Sequence, residues 1–114
     1  MPSEKVSRTP AQQKIDSQLL VEIYRKQGTA AEKGVPPGKT GVRIDHEGRA
    51  LVDVRAEVTA ILEKKIRDLG GTIDATSIAY RSIVAWVPLL KLEQLAGDSA
   101  VISIAPKPEA AIRS

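Results

Sequence analysis

Apolar residues change their spacing several times along this chain, and each change marks an element. Residues 1–8 are polar and unpatterned, which predicts disorder. Ile15, Leu19, Leu20, Ile23 and Tyr24 then recur at helical spacing. Ahead of them Thr9-Pro10-Ala11-Gln12 combines a capping hydroxyl, a proline suited to the first helical position and a glutamine placed to complete a capping box; Gly28 supplies a stop. One amphipathic helix is predicted over 9–28, and its apolar stripe must dock on the rest of the chain or on a partner. Gly, Pro, Lys and Thr dominate the next stretch, so 29–48 reads as a linker, with a short extended piece at 42–44 and a turn at Asp45-His46-Glu47-Gly48.

From residue 49 to 105 the pattern is dense. Leu51-Val52-Asp53-Val54-Arg55 alternates as a half-buried strand. Val58, Ile61, Leu62, Ile66 and Leu69 repeat at helical spacing and close on Gly70-Gly71. Residues 72–79 and 82–87 form two β-type runs around a turn at Tyr80-Arg81. Pro88 opens a short helix carrying Leu89, Leu92 and Leu95, and Val101-Ile102-Ser103-Ile104 is a last strand before Pro106 and Pro108. The order β-α-β-β-α-β is the ferredoxin-like α+β arrangement, an antiparallel four-stranded sheet with two helices on one face, here preceded by an N-terminal amphipathic helix. If Val52, Val54, Ile83, Ala85 and Val87 face the helices, then Leu51, Asp53, Arg55, Val84 and Trp86 face away. Leu51, Val84 and Trp86 would form an apolar patch, either a docking surface or the seat of the 9–28 helix folded back over it.

Composition narrows the chemistry. The 114 residues support one domain; with no phenylalanine and 3% aromatics the core must be aliphatic, and the absence of cysteine removes disulfides and thiol chemistry. The net charge of +3 arises in residues 1–49, with nine basic against six acidic side chains, while 50–114 carry eight of each. A nucleic-acid surface needs its basic residues gathered on the folded face, with several aromatics to stack bases, so no nucleic-acid partner is expected. No run is long and apolar enough to span a bilayer, and no membrane partner is expected. The start, Met1-Pro2-Ser3-Glu4-Lys5, lacks the apolar run of a secretory signal.

Gly34-Val35-Pro36-Pro37-Gly38-Lys39-Thr40 lacks the spacing and the strand–helix setting of a phosphate-binding loop. His46, the one histidine, sits beside Asp45 in a turn, where neighbours do not aim at each other, and scattered carboxylates offer no metal-ligand spacing. No enzyme activity, cofactor or metal is expected. Glu63 and Arg67, four apart, are read as a solvated ion pair.

Several phrases resemble the pro-regions found ahead of bacterial subtilisin-like serine proteases. They are Gly48-Arg49-Ala50-Leu51-Val52-Asp53-Val54-Arg55-Ala56, Leu69-Gly70-Gly71-Thr72-Ile73, Ser82-Ile83-Val84-Ala85-Trp86-Val87-Pro88-Leu89 with Leu92-Glu93-Gln94-Leu95-Ala96, and Val101-Ile102-Ser103-Ile104-Ala105-Pro106. Lys14-Ile15-Asp16-Ser17-Gln18-Leu19-Leu20 is similar to a helix that often precedes such domains, so the likeness covers about 14–110. The resemblance implies an intramolecular chaperone and inhibitor whose open sheet face packs on the protease. Its 106–114 tail lies in the substrate cleft, and its place is secreted or periplasmic, as part of a precursor; the missing signal run leaves the cytoplasm open. Leu51, Asp53, Arg55, Asp74, Val84 and Trp86 are the expected face contacts, with Asp53 and Asp74 candidates to cap a protease helix. Ala110, Ala111, Ile112 and Arg113 are the expected cleft residues, because a proline-bearing, extended segment can add to a strand edge. The Tyr80-Arg81 turn departs from pro-regions that carry acids nearby. The competing reading is a ferredoxin-like module binding another protein or a small ligand.

Overall fold

The computed structural model describes residues 9–28 and 40–107. Two helices come first, α1 (Pro10–Gln13) and α2 (Ser17–Gln27). They are followed by β1 (Arg49–Ala56), α3 (Ala60–Asp68), β2 (Thr72–Ser77), β3 (Ser82–Pro88), a 3₁₀ turn (Leu89–Lys91), α4 (Leu92–Ala96) and β4 (Val101–Pro106). The strands form one antiparallel sheet ordered β2-β3-β1-β4. Both βαβ crossovers therefore skip one strand, and this is the ferredoxin-like α+β fold that the period changes predict.

Alternation places the core. Val52, Val54, Ile83, Ala85, Val87 and Ile104 are buried in one cluster with Leu62, Ile66, Leu92, Leu95 and Ala96 from the helices. Leu19, Leu20, Ile23 and Tyr24 of α2 join that same cluster, so the N-terminal helix belongs to the domain core and does not lie over Leu51, Val84 and Trp86, which stand outside it. Tyr24 apart, the interior is aliphatic, and no charged side chain is buried among the described residues, so burial of apolar surface is its main support.

Glycine is required where α3 returns to β2. Gly70 has φ +95, and a Cβ at Gly71 would lie 2.8 Å from Ile66 Cγ2 and 3.0 Å from the Trp86 carbonyl oxygen, so the helix could not close onto the sheet with a larger residue there.

Four local expectations change. The N-terminal helix is broken at Lys14–Asp16: the Thr9–Gln12 capping box forms as predicted, but Ile15 leaves the helix to bridge Ile104 in parallel. The Ile104 amide donates to the Lys14 carbonyl at 2.8 Å and its carbonyl accepts from the Asp16 amide at 2.9 Å; Asp16 then caps α2 through the Gln18 amide. Satisfying the bare edge of β4 outweighs three residues of helix. Ile61, counted on the buried stripe of α3, is 82% exposed, since Leu62 and Ile66 carry that face. The β2–β3 loop is 78–81, not two residues, with Arg81 in the left-handed region at φ 53. Pro106, expected to end β4, is instead its last residue.

Candidate functional site: the open sheet face

Opposite the core, the sheet face is organised in rows fixed by strand register. One row is Leu51, Trp86 and Thr72, since Leu51 pairs with Trp86 and Thr72 with Trp86. A fourth member comes from the segment read as linker. Ile44 bridges Ala50, and the Leu51 amide donates to the Arg43 carbonyl at 3.0 Å, which sets Arg43 beside Leu51 on the far side from Trp86. The Arg43 Cζ lies 5.7 Å from the centre of the Trp86 ring, so the arginine passes over Leu51 to reach the indole.

This corrects the expectation of an open patch. Leu51 is 1% exposed, buried beneath its own neighbours, whereas Val84 and Trp86 are half-buried. The chain covers one end of the patch with a residue from outside the 49–105 unit.

The next rows are polar. Asp53 sits between Val84 on β3 and Ala105 on β4, and Arg55 between Ser82 and Ser103. The Ser82 hydroxyl donates to Asp53 at 2.6 Å and the Arg55 guanidinium lies 3.5 Å from the same carboxylate. Asp53 is thus already engaged within the chain, which weakens it as a cap for a partner helix; Asp74, exposed at the irregularity between Ile73 and Ala75, has no such partner among the described residues.

Above the indole, Arg49 bonds Asp45 at 2.8 Å and the Thr72 hydroxyl at 2.9 Å. Partial burial works to raise the Asp45 pKa, but the Arg49 amide and guanidinium and the Glu47 amide outweigh it and hold the carboxyl below its ordinary value. Turned to Arg49, Asp45 does not face His46, whose exposed ring has Glu47 at 3.6 Å.

β4 ends its pairing in this same corner. The Lys107 amide donates to the Leu51 carbonyl at 3.0 Å, and the next place along β1 is filled by Arg43 and Ile44. Ala110, Ala111, Ile112 and Arg113 lie outside the described residues, as do 1–8 and 29–39.

At the opposite end of the sheet, a shallow groove of about 620 Å³ is lined by Glu57, Val58, Thr59, Ile78, Arg81 and Ile102, among others. Ile78 and Ile102 are exposed there, and so is Tyr80 in the neighbouring loop. The sequence gives no sign of this apolar rim, because Ile78 and Ile102 both read as residues of strand runs. Nor does it single out Arg43 or Lys107; the alternation of Val42-Arg43-Ile44 holds the signal for Arg43, but only once that piece is paired beside β1.

No group of three or more metal-ligating side chains occurs among the described residues, and no helix among them is long and apolar enough to cross a membrane. No protein-family model, curated protein or solved structure matches the chain.

Proposed function

We propose that the chain is a non-catalytic docking domain of the subtilisin pro-region type, a folding template and inhibitor for a subtilisin-like serine protease. The observation that carries this reading is the junction of face and tail. A sheet face with Val84 and Trp86 half-exposed adjoins Lys107, whose amide bonds Leu51 on β1, while Arg43 and Ile44 lie along the adjoining stretch of that strand. The chain leaves Lys107 beside this face, and the prolines that follow in the sequence favour an extended shape, which suits entry into a protease cleft as an added strand. The resemblance of the strand and helix phrases gives the protease its place in the proposal.

Inhibition of peptide hydrolysis by a bacterial subtilisin tests it. The full chain is expected to inhibit competitively, and deletion of 108–114, which leaves the Lys107 pair intact, is expected to weaken inhibition at least about tenfold, as loss of several strand hydrogen bonds requires. A folded chain that does not inhibit at tens of micromolar overturns the reading.

A further inference from the structure

Charge on the open face is not evenly neutralised. Arg49 is held by Asp45 at 2.8 Å and Arg55 lies 3.5 Å from Asp53. Along α3 the cations are likewise paired, Lys64 with Asp68, Lys65 with Asp98 and Arg67 with Glu63. Arg43 and Lys107 have no carboxylate partner among the described residues, and both flank Leu51, one through its carbonyl and the other through its amide. Two cations without a carboxylate partner among the described residues therefore stand together over the apolar floor of Leu51, Val84 and Trp86.

Resting on the docking function above, we propose that this corner recognises carboxylates, with Arg43 as the principal contact and Lys107 beside it, so that the partner presents a protein surface bearing acidic side chains. The Arg43 side chain is held over the Trp86 ring. An arginine laid against an aromatic keeps its N–H edge free for bidentate pairing with a carboxylate, and its position is set before the partner arrives. Leu51, Trp86 and Val84 supply an apolar floor that limits competing water. A nucleic acid fits less well. At this corner the sole tryptophan is already covered by Arg43, so a base has no open indole to stack on there, and two cations are few for a phosphate chain.

The full chain is titrated with hexaglutamate, hexalysine and a short oligothymidylate, followed by Trp86 fluorescence and amide and side-chain NMR shifts. Hexaglutamate is expected to move the signals of Arg43, Leu51, Trp86 and Lys107, and hexalysine is not. Arg43→Gln is expected to weaken hexaglutamate binding about tenfold, the loss typical of a charged hydrogen-bonded contact. Lys107→Gln, which keeps the backbone rung and serves if Arg43→Gln disturbs the fold, is expected to weaken it about threefold, as for an exposed ion pair. Hexaglutamate shifts that are absent or lie elsewhere, tighter binding of the oligothymidylate, or unchanged affinity in the folded variants each overturn the proposal. Subtilisin separates the two levels: a chain that binds hexaglutamate at Arg43 without inhibiting the protease supports carboxylate recognition and sinks the protease reading. A chain that inhibits with a constant unmoved by Arg43→Gln does the reverse.

Discussion

The two faces of the sheet bury leucine by different means. On the helix side, Leu20 and its neighbours sink into a many-sided, mostly aliphatic cluster built from α2, α3, α4 and the sheet, with no charged side chain buried among the described residues. On the open side, Leu51 is buried just as fully, yet it lies outside that cluster, closed over by one arginine resting on one tryptophan. The first kind of burial is spread across many contacts and is permanent; the second depends on two amphipathic side chains with wet outer surfaces. A lid of that kind can be shared with a partner without unfolding the domain.

The largest effect separating the faces is expected from Leu20→Ala, which leaves a cavity in the shared core and should destabilise the fold by about 3 kcal/mol in denaturant titration. Leu51→Ala is expected to be milder, about 2 kcal/mol, because Arg43 and Trp86 can settle inward. It should also change the Trp86 emission, which Leu20→Ala leaves alone until unfolding. Equal losses from the two, with no change at the indole before unfolding, would mean that the two faces are energetically one core. Val84→Ser is expected to cost less than about 1 kcal/mol of stability, as for a half-exposed position, while weakening protease inhibition. Inhibition unchanged in this variant would remove Val84 from the docking surface.

Acid stability gives the smallest contrast. Asp45 beside the open face and Asp98 in the turn before β4 both titrate below the ordinary 3.8, Asp98 chiefly because the Ala100 amide and Lys65 bond its charged form. A carboxyl whose folded pKa is depressed stabilises the fold fully above its unfolded value. That contribution is lost as pH falls below 3.8 towards the folded value. Thermal melting is therefore expected to hold steady above that point and decline below it. Asp45→Asn should flatten part of the decline; an unchanged acid limb would show that the Asp45–Arg49 contact carries no linkage.

The helix face was legible in the chain and the open face was not, for a physical reason. Period-two and period-3.6 patterns report which residues leave water together, and that was enough for four strands, their order and the core cluster. Capping chemistry at Thr9 and Gln12 was likewise local and readable. What decided the rest was pairing between distant segments. Ile15 looks helical until the bare amide and carbonyl of Ile104 are taken into account. Arg43 looks like linker until Ile44 is seen bridging Ala50. Leu51 has the same alternation as Val84 but a different neighbour, and only register tells them apart. The exposed Ile78 follows from the longer hairpin loop, where Arg81 adopts the left-handed backbone that its sequence does not advertise.

Amide hydrogen exchange on the chain, alone and mixed with a subtilisin whose nucleophilic serine is replaced by alanine, reads the docking surface directly. Slowed exchange is expected at peptides covering residues 42–55, 82–88 and 101–107, and none at the 78–81 loop. Slowing confined to that loop and the groove beneath it, or a pattern identical with and without the protease, would contradict the assignment of the open face as the site of binding.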